Sequence, residues 1–194
     1  MRHDINLKCN KMNVKFKRLH EGAVIPEKAT AGSAADDLYV PEDVIIKPGR
    51  QIIPLGFAME MEEGYEALVD PRSGFSSKGM EGYEVVTLWR YKTHFCEITG
   101  FGDPGEVTDA EVKEYVAREP ERFDCDVIEG KIDSDYRDGV GVIVHNRDSH
   151  TFMIKAGTRI AQMTFHKVEK ANWVEVEELS KSDRKGGFGH SGTK

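Results

Sequence analysis

The stretch Gly130-Lys131-Ile132-Asp133-Ser134-Asp135-Tyr136-Arg137-Asp138-Gly139, followed at once by the apolar run Val140–Val144, decides the fold class. Asp and Gly residues of this kind close turns, and an apolar β-branched run directly behind them reads as the return strand of a hairpin. The same alternation of short apolar runs and turn residues extends outward in both directions. Val14–Phe16, Val44–Ile46, Gln51–Ile53, Ala67–Val69, Thr151–Ile154, Ile160–Phe165 and Trp173–Val176 are further strand candidates. Pro41, Lys47-Pro48-Gly49, Glu63-Gly64, Asn146-Arg147-Asp148 and Ala156-Gly157 punctuate them. That rhythm predicts an all-β sandwich or barrel and not βαβ units.

One segment departs from it. Thr108-Asp109-Ala110-Glu111 has the form of a capping box, Val112, Tyr115 and Val116 follow at helical spacing, and Pro120 stops the run. A helix of about three turns is expected there.

The chain has 194 residues, 39% of them hydrophobic, with a net charge of −7, which suits one globular domain and disfavours a broad basic surface for nucleic acid. No apolar run approaches the ~20 residues of a membrane helix, and Met1–Asn13 has no signal-peptide core, so no membrane association is expected. The three cysteines, Cys9, Cys96 and Cys125, are widely spaced with no CxxC pair, which fits a reducing cytoplasm. No two of the seven histidines stand at a metal-binding i, i+4 spacing.

Two segments carry chemistry. Asp70-Pro71-Arg72-Ser73-Gly74-Phe75-Ser76-Ser77-Lys78 gathers a guanidinium, hydroxyls, an ammonium and a permissive glycine behind a strand, a combination suited to an anion and equally compatible with a polar surface turn. It is not a P-loop, since GxxxxGK[ST] is absent. In the hairpin, Asp133 and Asp135 share a face of an extended backbone, so one carboxylate can activate a water while the other holds a turn or a hydrated metal.

Taken with Ala34-Ala35-Asp36-Asp37-Leu38-Tyr39, Gly157-Thr158-Arg159-Ile160-Ala161-Gln162-Met163 and Arg184–Gly192, these segments resemble, in order, the five motifs of the trimeric deoxyuridine triphosphatases. The resemblance implies a jelly-roll β subunit with a flexible C-terminal arm. It implies Mg²⁺-dependent hydrolysis of dUTP to dUMP and pyrophosphate by a homotrimer, which keeps uracil out of DNA and supplies dUMP for thymidylate synthesis. By the same likeness Arg72, Ser73, Gly74 and Gln162, with Arg184, Ser191 and Gly192 of the arm, would hold the phosphates. Lys131, Ile132, Asp133, Tyr136 and Gly141, with Phe188 and Gly189, would receive uracil and deoxyribose. Asp133 would be the water-activating base, and Asp37 would lie near the metal, which the triphosphate itself would mainly hold.

Besides reading Tyr136-Arg137-Asp138-Gly139-Val140 where the family commonly has Tyr-Arg-Gly-x-Val, the chain departs from the family pattern in three places. Asp36 adds a negative charge beside the first motif, and the tail motif is one residue short between Arg184 and the glycines. The third departure is an insertion, at about 80–127, predicted to form a small β-hairpin plus the capped helix on a domain of 1–183, with 184–194 as the closing arm. Exposed Trp89, Tyr91 and Phe95 would mark it as an interaction surface. The alternatives are a dCTP deaminase-type enzyme of the same superfold and a nucleotide-switched regulatory protein acting through the insertion.

Overall fold

A computed structural model describes residues 12–92, 97–101 and 111–182, with side chains described outside 89–92, 97–101 and 111–112. The elements run β1 (Lys15–Arg18), β2 (Asp36–Tyr39), β3 (Val44–Ile46), β4 (Gly49–Glu60), β5 (Tyr65–Asp70), α1 (Ser73–Lys78), β6 (Met80–Lys92) and β7 (Glu97–Phe101). They continue with β8 (Glu111–Val116), β9 (Glu121–Phe123), β10 (Cys125–Ile128), β11 (Gly130–Asp133), β12 (Gly139–Asn146), β13 (Phe152–Ile154) and β14 (Arg159–Lys167).

The strands form three antiparallel sheets, ordered β1-β4-β12-β10, β11-β5-β14-β2 and β3-β13-β6-β7, with β8 and β9 also pairing with β6. The expected all-β architecture is present. It is the open, packed-sheet form, since none of these three sheets closes into a barrel among the described residues. Period-two burial drives the packing: along β12, Val140, Val142, Val144 and Asn146 face inward while the residues between them do not. Leu38, Ile53, Leu55, Phe57, Phe152 and Ile160, each at most 2% exposed, fill the space between sheets. Buried Asn146 is satisfied, its amide donating to the His150 carbonyl at 2.9 Å and its oxygen accepting the Asp148 N–H at 2.9 Å.

Two local expectations fail. Residues 111–116 are not helical but form β8, with Val85 opposite Val116, Val86 opposite Tyr115 and Trp89 opposite Val112. A three-turn helix is marginal alone, and β-branched residues gain more from cross-strand partners on a strand already in place. The expected hairpin does form, with β7 returning along β6 from Lys92 opposite Glu97 to Leu88 opposite Phe101. Trp173–Val176 is not a strand either: it pairs with no strand among the described residues, and Trp173, Val174 and Leu179 are at least 70% exposed. The side chains of Trp89, Tyr91 and Phe95 lie outside the described residues, as does the whole arm from Arg184 to Gly192.

Candidate active site

The turn after β5 is a short helix rather than a loop. The Arg72 carbonyl accepts the Phe75 N–H at 2.9 Å and the Ser76 N–H at 3.1 Å, and buried Phe75 anchors α1 to the core. Gly79 ends it with φ +77°, donating to the Phe75 carbonyl at 2.9 Å. This fixes Arg72, Ser73 and Gly74 on the wall of a cavity of about 340 Å³ that Asp37 of β2 and Gln162 of β14 also line. Five residues expected from the sequence therefore converge there. Ala34 and Ala35 of the first quoted motif also line it, with Ala29, Ser33 and Thr164, which only their closeness to quoted motif residues could have signalled.

Asp37 is 7% exposed and doubly clamped. Arg72 Nε donates to Oδ1 at 3.1 Å, Arg159 Nη1 donates to Oδ2 at 3.2 Å, and Arg72 Nη1 donates to the Arg159 carbonyl at 3.2 Å. Each carboxylate oxygen thus accepts from a guanidinium group, and Asp37 holds two arginines in place. No group of three or more His, Cys, Asp or Glu stands together among the described residues, so this donor set does not fit a protein-held metal cage. Arg159 lies inside a quoted motif, and nothing in the sequence singles it out. Adjacent Asp36 lies off this wall, bordering instead an apolar cavity lined by Phe16, Phe57, Met163 and Phe165, as strand alternation requires. The extra charge is directed away from the phosphate turn.

A second cavity, about 240 Å³, lies against the β11–β12 hairpin. Lys131, Ile132, Tyr136 and Gly141 line it as expected, and Ile52, Ile128 and Ile143 add an apolar wall that sequence reasoning missed. Alternation beside buried Ile53 is the signal that would have found Ile52, which is 68% exposed. At Gly141 any Cβ would stand 2.7 Å from Ile52 Cγ2, so glycine keeps the cavity open. The hairpin is braced internally: the Tyr136 hydroxyl donates to the Gly139 carbonyl at 3.0 Å, its N–H donates to the Asp133 carbonyl at 3.1 Å, and Arg137 donates to the Ser134 carbonyl at 2.7 Å. Lys131 Nζ donates to both Glu66 oxygens at 2.9 Å, a pairing that raises the lysine pKa. Asp133 stands exposed at the end of β11, opposite Glu66, outside the cavity lining. Cys125 is no nucleophile, since burial pushes its thiol up to about 12.

A polar, arginine-bearing cavity and an apolar one are thus set on one antiparallel β body, a β protein with two distinct small-molecule-sized hollows. Comparison with known proteins narrows this. The dUTPase family model matches residues 21–95 and 124–192, and the chain belongs to that family. The deoxyuridine 5'-triphosphate nucleotidohydrolase of Nautilia profundicola is 36% identical over 183 residues, covering 93% of this chain and 99% of that one. That of Syntrophotalea carbinolica is 34% identical over 185 residues, covering 93% and 97%. Among solved structures, a Staphylococcus bacteriophage 80alpha dUTPase variant with dUpNHpp superposes with a TM-score of 0.65 at 21% identity, covering 93% of this chain and 98% of that one. The dUTPase of S. aureus phage phi11, described for its species-specific insert, gives 0.59 at 19% identity, covering 88% and 99%. Those likenesses are of fold. The family model leaves residues 96–123 unmatched, the stretch that holds β7, β8 and β9.

Proposed function

We propose that the protein hydrolyses dUTP to dUMP and pyrophosphate. The observation that carries this reading is the pair of cavities on a dUTPase-family body, one apolar beside Ile132, Tyr136 and Gly141, the other bearing Arg72, Ser73, Gly74 and Gln162. In this reading the backbone around Lys131–Ile132 reads the uracil edge and the Tyr136 ring lies under the sugar. Asp133 takes the proton of a water attacking the α-phosphorus, and pyrophosphate leaves toward the Arg72 turn. When bound, Mg²⁺ would be held mainly by the substrate rather than by this chain and would supply neutralising charge. Arg184, Phe188, Gly189, Ser191 and Gly192 close over the substrate from the arm, making 184–194 a lid on the 1–183 domain.

The functional unit in this reading is a homotrimer. Two features support it: the cavities stand apart within one chain, and the segment from Trp173 to Leu179 exposes large apolar side chains that a neighbouring copy would cover. No described helix is long and apolar enough to cross a membrane, and the protein is taken to work in the cytoplasm.

The test is pyrophosphate release from dUTP, dCTP, dTTP and UTP in parallel, with and without Mg²⁺. Release from dUTP alone is expected. Turnover of dCTP instead would make the protein a deaminase-type relative, and silence on all four with dUTP still bound would make it a nucleotide-switched binding protein.

A further inference from the structure

A third cavity, about 460 Å³, shares Arg72 with the candidate phosphate site and faces the β6 and β9 strands. Its wall takes Arg72 from the turn before α1, Glu81 from β6, Arg122 from β9, Lys155 from the loop after β13 and Arg159 from β14. Four cations from four parts of the fold converge here on a chain whose net charge is −7. Among the described residues, three carboxylates answer them. Glu81 meets Arg122 at 2.8 Å, Asp43 meets Lys155 at 2.9 Å, and the single Asp37 serves both Arg72 and Arg159 at 3.1 and 3.2 Å. Four positive charges against three negative ones leave an excess of one. Arg122 is also held in place from behind, donating to the Gly79 carbonyl at 3.1 Å, so its guanidinium is aimed before any ligand arrives.

We propose that this cavity is an anion site for a phosphate-type dianion, adjoining the candidate nucleotide site through Arg72, with Arg122 as its main donor and Glu81 as a built-in competitor. The planar guanidinium suits phosphate oxygens, and the Glu81 carboxylate occupies the place that such an anion would take on it. Arg122 lies in the 96–123 stretch outside the family match, while Arg72, Glu81, Lys155 and Arg159 lie inside it. Binding itself does not depend on the activity proposed above; only the supply of pyrophosphate at the site rests on that reading.

The experiment is calorimetric titration of the full-length protein with inorganic pyrophosphate and, separately, inorganic phosphate at fixed ionic strength, on the wild type, Arg122→Gln and Glu81→Gln. Arg122→Gln should weaken anion binding about 10-fold, and Glu81→Gln should tighten it about 3-fold or more, as expected when one charge-assisted hydrogen bond is removed or released. Neither change should alter the KM for dUTP. A misfolded variant does not bind more tightly, so the opposite signs separate this site from a loss of structure. A response to pyrophosphate alone identifies a diphosphate as ligand, and equal responses identify a single phosphate group. Affinities identical in all three proteins, or lost only on Gln162→Ala, would overturn the proposal by confining the anion to the candidate nucleotide site. Anion binding that follows Arg122 and Glu81 in a protein inactive on dUTP would sustain this site while ending the hydrolase reading.

Discussion

Asp133 and Gln162 flank the same strand without meeting: on β5, Asp133 stands opposite Glu66 and Gln162 opposite Asp70. Four residues along a strand and two strand spacings across separate their backbones by about 16 Å. Within one chain Asp133 and Gln162 thus stand well apart, and the proposed trimer would bring the candidate base of one copy to the Arg72 turn of another. Asp133→Asn should bind dUTP yet turn it over about 10²- to 10⁴-fold more slowly. Arg72→Ala should also be inactive while staying folded, because Asp37 keeps Arg159. Co-refolded in equal amounts, the two dead variants should recover about a quarter of wild-type turnover, the fraction of sites that draw each intact residue from a different copy. Mixtures as inactive as their parts would place both residues in a site built by one chain.

Removing the carboxylate charge in Asp37→Asn leaves two arginines facing each other across a buried position. The cost should be about 2 kcal/mol, below the full figure for a broken buried pair because Arg159 stays partly in solvent. Thermal melting should fall by about 4 to 8 °C, with or without Mg²⁺. An unchanged melting temperature together with a raised Mg²⁺ requirement would place Asp37 at the metal.

The pH dependence of stability has two identifiable edges. Asp148, 2.7 Å from His150 Nδ1, holds the imidazolium and raises the His150 pKa above its ordinary 6.5. That contribution is complete below the unfolded value and is lost as pH rises through the raised folded one. On the acid side, the Ala156 N–H and then Lys155 hold Asp43 below its ordinary 3.8, so its contribution is present above that value and lost as pH falls through the depressed one. Melting curves across the range should show His150→Gln flattening the decline toward alkaline pH and, because Asp148 loses the ring that holds its pKa down, part of the acid decline as well, whereas Asp43→Asn flattens the decline toward acid alone. Parallel displacement of the whole profile by either variant would contradict this assignment.

Gly79 joins the phosphate turn to the strands behind it. Its φ is +77°, and a Cβ at this position would stand only 2.5 Å from the Phe123 carbonyl oxygen, so Gly79→Ala is strained in both senses. A loss of about 2 to 3 kcal/mol is expected, read as a lowered urea midpoint. A midpoint within error of wild type would mean that α1 and β9 separate easily.

Local chemistry was legible in the sequence where it was also decisive. Val44–Ile46 is β3 itself, and the Asp-rich turn before Val140–Val144 is the β11–β12 hairpin, because turn residues and alternation act over a few neighbours. Reading failed where a distant partner decides. Glu111–Val116 carries a helical stripe, yet β6 was there to pair with it; Trp173–Val176 carries a strand pattern and has no described strand beside it. Arg72, Ser73, Gly74 and Gln162 were found by motif and do share a cavity, but nothing in their order told that Arg159 would clamp Asp37 or that Asp36 would turn to the opposite face. Ser73–Lys78 looked like a loop because serine and glycine dominate it, and only the burial of Phe75 makes it a helix.

β6, itself inside the family match, runs as one uninterrupted strand of 13 residues, about 43 Å of extended chain, and carries the unmatched strands β7, β8 and β9 along it. Its base is gripped by β9 and by β13 at Tyr83 and Glu84, and its outer half is stiffened by β8 from Val85 and by β7 from Leu88. Such an arrangement behaves as a cantilever beam rather than as a tethered flag. Its fixed end pairs with Phe152 and Met153, one short loop from Lys155 and Arg159, so the outer sheet and the arginine clamp are joined through continuous strand pairing rather than across a flexible connection.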